Sequence, residues 1–345
     1  DEHASIQTAH AWKWGRFVIN GVILVDTAPD DWPKIRAAIV ARIQRYLGHP
    51  ACAVDSHVRY EELERYERFG LTHVRLRYHV IADEWNEAVC VLPEGCGAQQ
   101  PAAGVLTIHG TNGAAGKYGM LDPEGLPARA YGIELARRGY VTLSVDQYGF
   151  GAGLGDASFD EKVQELFSRH PEWSLDGRRL LEQQRALDVF AQFPFVKAGG
   201  YGTMGNSLGG RAVIFLAAFD ERITTAVCST GISPNLSNVF RNITRDRHLL
   251  PLMSREIEQN GVMPWDYHEL IALCAPRALL LLEPFNDSCN PDTLATYTCI
   301  HQASRVYRLL NASERLTALV HGEGHDTPPD IREFSYRWFD RFLRQ

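Results

Sequence analysis

Long apolar runs, blocks of like charge and closely paired cysteines are all missing from this 345-residue chain. A membrane-spanning helix needs ~20 consecutive apolar residues, and the best run, ALLLLEPF at 278–285, has only the length of a buried strand. Lys and Arg are spread singly and the formal charge is −7. The electrostatic footprint of a nucleic-acid or anionic-membrane partner is therefore absent. The seven cysteines include no Cys-x-x-Cys pair. Odd in number and without a dense framework, they read as free thiols, with Cys228 and Cys274 as small buried hydrophobes, and they favour a reducing, cytoplasmic compartment. The first residues, DEHASIQTAH, carry neither an initiator Met nor a signal-peptide core, so a removed leader is equally compatible with them. Three Asn-x-Ser/Thr triplets, at Asn235, Asn242 and Asn311, are short enough to occur by chance.

What is present is a chain with 45% hydrophobic residues, enough for a large core. From residue 104 onward, short apolar runs (VLTIHG, YVTLSVD, YGTMG, TAVCST, ALLLLEP, LTALVHG) alternate with helical stretches at 128–138, 180–193 and 208–219. Unbroken apolar strands between helices predict an α/β fold with a mostly parallel sheet and helices on both faces. Ahead of it, THVRLRYHV and EAVCVLP alternate at hairpin distance and predict antiparallel N-terminal strands. Residues 31–48 have the three-and-four spacing of an amphipathic helix closed by Gly48. Residues 1–70 thus read as a helical extension packed on a main domain of 71–345. Within that domain, 149–178 and 232–268 lack strand signals and are expected to form cap-like insertions walling a pocket.

The chemistry centres on GNSLGG at 205–210, where a buried strand hands over to a helix. A Gly-x-Ser-x-Gly elbow lifts its serine to the top of a sheet, and a serine hydroxyl becomes nucleophilic only beside a base held by a third group. Ser207 is the candidate nucleophile, and the Leu208 amide a candidate oxyanion donor. A second donor is expected after the strand VLTIHG, at Thr111. His109 precedes the serine and reads as a strand-end residue. Downstream, ALLLLEPFNDSCNP offers Asp287 as the acid, with Glu283 and Asp292 as alternatives, and LTALVHGEGHD offers His325 as the base, with His321 as the alternative. Two histidines four apart could share a metal on a helix, but Gly322 and Gly324 argue against a helix there, so no metal is expected. Phe150, Trp173 and Trp265 are candidates to line the substrate pocket.

Together HGTNG, LARRGYVTLSVDQYGFG, HPEWSLDGRRLLEQQRALD, GNSLGG, PRALLLLEPFNDSCNP and GEGHDTPP resemble the α/β-hydrolase superfamily over residues 70–345. The similarity is greatest to its acetyl-xylan-esterase-like, dienelactone-hydrolase-like and prolyl-oligopeptidase-like esterases. The resemblance implies an α/β-hydrolase fold with Ser207, Asp287 and His325 as a triad and Thr111 and Leu208 as oxyanion donors. It also implies an esterase acting without cofactor on a small-molecule ester, of short acyl type and of carbohydrates among others. A peptidase, a thioesterase or acyltransferase, and a non-catalytic binding module are the alternatives that share this fold. Two departures bear on substrate. Asn206 stands where His is frequent, and Leu208 stands where the neighbouring glucuronoyl esterases carry Arg, which points away from their substrate.

Overall fold

The computed structural model describes residues 28–344 apart from 239–240 and 242–244; Asn242 and the first 27 residues of the predicted extension lie outside them. Nine strands form one sheet: β1 (Tyr60–Arg68), β2 (Leu71–Ile81), β3 (Glu84–Leu92), β4 (Gly104–Ile108), β5 (Val141–Val145), β6 (Tyr201–Asn206), β7 (Ile223–Ser229), β8 (Ala278–Pro284) and β9 (Leu316–His321). Their order is β1-β2-β3-β5-β4-β6-β7-β8-β9. β1 to β3 run antiparallel, and β3 joins the rest by antiparallel pairing to β5; every later pairing is parallel.

Side chains alternate across a strand, and β8 shows how that divides the core. Leu279 and Leu281 face one layer with Ile108, Cys228 and the helix Leu208–Phe219, while Leu280 and Leu282 face the other with Met204, Val227 and Phe339 of the helix Pro329–Phe342. All four leucines are essentially inaccessible. Each contributes about 1.5–3 kcal/mol through burial, which is why an unbroken leucine run stands here. β9 is different: as an edge strand it is half exposed, and Val320 is 52% accessible despite an apolar sequence.

One feature of the N-terminal part differs from the sequence reading. Residues 60–68 form the outermost strand of the sheet instead of belonging to a helical extension. The helix Trp32–Leu47 buries Ile39, Ile43, Tyr46 and Leu47 against the main body. The Leu47 carbonyl accepts from the amide and the hydroxyl of Ser174 at 3.0 and 2.8 Å, and Tyr46 donates to Glu256 at 2.8 Å. Within 149–178 lies the helix Phe159–Arg169, capped by Ser158 and Glu161, and within 232–268 the helix Pro251–Asn260. No helix among the described residues is long and apolar enough to cross a membrane.

The parallel strands all end on one side, where open α/β sheets bind ligands. β4 is followed by Thr111, β6 by Ser207, β8 by Asp287 and β9 by His325.

Candidate active site

Ser207 sits at φ 58°, ψ −119°, a conformation sparsely populated for any residue with a Cβ. Its amide donates to the Ser229 carbonyl at 2.8 Å and to Thr230 Oγ1 at 3.1 Å, and its carbonyl accepts from Arg211 N at 2.9 Å to start the helix. The three glycines around it act by leaving space. A Cβ on Gly209 would lie 2.8 Å from the His109 carbonyl oxygen and closer still to that of Ile108; one on Gly205 would meet the Ile108 oxygen at 2.9 Å, and one on Gly210 the Ser229 oxygen at 2.5 Å. The elbow is tight because β4, β6 and β7 close in on it, and the backbone strain falls on the serine itself.

Around this elbow the structure brings together three of the predicted residues. Ser207 Oγ lies 2.7 Å from His325 Nε2, and His325 Nδ1 lies 2.8 and 2.9 Å from the Asp287 oxygens. The geometry sets the tautomer: Nδ1 donates to the carboxylate, leaving Nε2 to accept from the hydroxyl. Asp287 also accepts from the amides of Cys289 and Asn290 at 2.6 and 3.0 Å. Burial pushes its carboxyl up, but the hydrogen bond from His325 and those amides outweigh burial and hold it below the usual carboxylate range. Asp287, Cys289 and His325 have potential ligand atoms within 4.8 Å of one another, with His325 Nδ1 already engaged by the carboxylate. Thr111 and Leu208 line the cavity, and their amides make no hydrogen bond among the described residues.

The alternatives fall elsewhere. Glu283 is 2% exposed beside Cys228, and burial together with the Asp287 charge pushes its carboxyl well above the ordinary range. Asp292 caps the helix Thr293–Leu309 through Ala295 N at 2.9 Å. His321 is buried, and its Nδ1 accepts from Glu323 N. His109 accepts from Gln147 N at 3.1 Å and donates to the Gly110 carbonyl at 2.6 Å; burial pulls its pKa down to about 4, so it braces the loop as a neutral ring.

Two hollows meet at Ser207 and Thr111. The larger, about 450 Å³, is lined by Phe150, Phe159, Arg179, Arg211, His248 and Tyr267 among others. The smaller, about 260 Å³, is lined by Met120, Leu126, Tyr131 and His325. Phe150 is thus at the cavity, as expected from sequence. Trp173 and Trp265 are not. Trp173 is 3% exposed and packs edge-on to His170 beneath Arg178, in the seam that holds the helix Trp32–Leu47. Trp265 is fully buried behind Phe215, and Tyr267, two residues on, takes the place at the wall. Sequence reading noted Asn206 only as a departure from the family pattern and did not foresee that its amide nitrogen reaches Ser229, Thr230 and Thr327; it missed the arginines of the larger hollow. The adjacent pair Arg178 and Arg179 on an otherwise buried helix was the visible signal for the latter.

Solved structures of similar architecture settle the fold. A glucuronoyl esterase from Solibacter usitatus superposes with a TM-score of 0.73 at 15% identity, covering 91% of this chain and 93% of its own. A candidate acetyl xylan esterase from Bacteroides fragilis gives 0.68 at 15% identity, covering 99% and 90%. The chain has the α/β-hydrolase fold. The family model described as "Glucuronyl esterase, fungi" matches residues 182–311 of this chain. The Bacillus subtilis protein YtaP, whose name marks it as a candidate hydrolase, is 25% identical over 263 residues, spanning 74% of this chain and 83% of its own.

Proposed function

We propose that the protein is a serine carboxylic-ester hydrolase acting on carbohydrate esters. One observation carries the reading: the unbroken hydrogen-bond chain from Ser207 through His325 to Asp287. The family match and the relatives described as glucuronoyl and acetyl xylan esterases support ester chemistry and a carbohydrate substrate. Leu208 argued against the glucuronoyl group from sequence, yet that group appears beside the acetyl esterases, so the substrate class is carbohydrate ester at large.

In this mechanism His325 Nε2 takes the Ser207 proton as Oγ attacks the ester carbonyl. Asp287 holds the ring in the accepting tautomer and stabilises the imidazolium that forms. The tetrahedral oxyanion accepts from the Thr111 and Leu208 amides, each contributing about 3 kcal/mol in the transition state. His325 then protonates the leaving alkoxide, and water repeats the sequence on the acyl-enzyme.

Hydrolysis of a 4-nitrophenyl ester series from acetate to octanoate tests the reading. Acetate and butyrate are cleaved, and Ser207→Ala loses nearly all turnover. A silent parent protein, or a Ser207→Ala variant as active as the parent, would sink it.

A further inference from the structure

The larger hollow holds more positive charge than the reaction at Ser207 uses. Arg179, on the helix Leu175–Phe190, is 3% exposed and lines that hollow. Its Nε and Nη2 both donate to the Tyr148 carbonyl, at 3.3 and 3.0 Å, and its guanidinium lies 5.3 and 6.0 Å from the rings of Phe150 and Phe159. Nη1 has no hydrogen-bond partner among the described residues, and no described carboxylate pairs with the group. The nearby acids are committed: Asp176 to Arg211 at 2.6 Å, Glu182 to Arg178 at 3.1 Å. At the rim, Arg241 and Arg245 share the single carboxylate of Asp246.

A buried charge is costly unless it is directly paired and fully hydrogen-bonded, and Arg179 feels Asp176 and Glu182 only at a distance, each of them hydrogen-bonded to another arginine. Burial pulls the Arg179 pKa down to about 10, which still leaves it charged at neutral pH. Burial, then the Arg179 charge, keeps the His248 ring beside it below its ordinary value. The sides of the scissile bond follow from His325. That ring lines only the smaller hollow, and it must protonate the leaving alkoxide, so the alcohol faces the smaller hollow and the acyl group occupies the larger.

We propose that the larger hollow is an acyl subsite for a second anionic group, with Arg179 as its principal cation. The preferred substrates are esters of acids that carry a further carboxylate or sulfo group on the acyl portion. Arg179 Nη1 offers the charged donor, and Arg241 and Arg245 supply the surrounding positive potential. This rests on the ester-hydrolase reading for the identity of the acyl side, while the anion site itself stands on charge and burial alone.

The test compares ethyl hydrogen adipate with ethyl heptanoate, followed by acid release, and titrates adipate into the Ser207→Ala protein by calorimetry. The half-ester is expected to have a kcat/KM about 10- to 100-fold above the neutral ester, the contribution of a charged hydrogen bond. In Arg179→Gln that ratio falls to about 1, and adding the same change to Ser207→Ala removes adipate binding. Arg179→Lys restores part of both. Because Arg179 also braces Tyr148, Arg245→Gln at the exposed rim is read in parallel and lowers the ratio without disturbing that brace. Ethyl 4-sulfobutanoate in the same assay separates a sulfo group from a carboxylate as the preferred anion. Hydrolysis of the neutral ester with a ratio at or below 1 overturns the subsite, as does a ratio unchanged in a folded Arg179→Gln protein. Adipate binding that depends on Arg179 in a protein that cleaves neither ester upholds the anion site and overturns the esterase reading.

Discussion

Asn206 Nδ2 lies 3.1 Å from Thr327 Oγ1, tying the residue before the nucleophile to the residue two beyond His325. The same nitrogen meets Ser229 and Thr230, so one amide fixes the His325 loop relative to both β6 and β7. The loop is held from outside by Arg129, which donates to the His325 carbonyl at 3.2 Å, and by Arg332, which donates to that of Thr327 at 2.8 Å. Asn206→Ala removes the inner tether and leaves these outer ones. A displacement near 1 Å costs about 100-fold in rate, so kcat is expected to fall by about that factor with KM little changed. An unchanged kcat in steady-state assays would show that the outer bonds position the ring alone.

Asp287→Asn leaves the shape of the site intact but reverses the hydrogen bond to Nδ1, favouring the tautomer in which Nε2 carries the proton. The expected fall in kcat is about 10⁴-fold. Glu283→Gln, four residues earlier in β8, retains most of the activity because Glu283 does not touch the ring. The two variants assayed side by side assign the acid, and the opposite order of losses would transfer the role to Glu283.

Glu283 gives stability a pH dependence of predictable sign. Its folded pKa lies above its unfolded value, chiefly through burial, so the stability it contributes is complete below about pH 4.3 and is lost as pH rises toward the folded pKa. Glu283→Gln removes that titration. Urea midpoints of the variant therefore gain on the parent between pH 4 and 8. Parallel curves over that range would show that this carboxyl stays ionised inside the fold.

Gly209→Ala places a methyl group against the His109 and Ile108 carbonyls. These are backbone atoms at the end of β4, just ahead of Thr111, so relief requires β4 and the elbow to separate. The expected loss is about 3 kcal/mol of unfolding free energy, with activity falling alongside it. A denaturation curve that overlays the parent would mean that β4 yields without strain.

How much of this was visible in the sequence depended on whether a segment's pattern and its environment agreed. β8 is buried on both faces and reads as a leucine run; Ser207, Asp287 and His325 each follow such a strand, so chain order carried their geometry. β1 could not be read in this way. YEELERYER is exposed along nearly its whole length, and nothing in a charged run distinguishes a solvated strand from a loop. The tryptophans misled for another reason: the size that suits an aromatic ring to a pocket wall suits it equally to the core, and helix packing chose the core for Trp173 and Trp265. Arg179 was hidden because its meaning lies in what fails to pair with it, which requires the positions of Asp176 and Glu182.

The same charged strand limits how molecules of this protein can meet. An outermost strand offers a row of unpaired amides and carbonyls to any neighbour. Along β1, however, Glu61 pairs with Arg77, Glu62 with Arg65 and Glu64 with Arg75. The pairing also slips between Glu62 and Glu64, which breaks the regular ladder. A second copy docking edge to edge would have to dehydrate these ions and match an irregular register, so fibre-like continuation of the sheet is blocked on this side by the residues that made the strand hard to recognise.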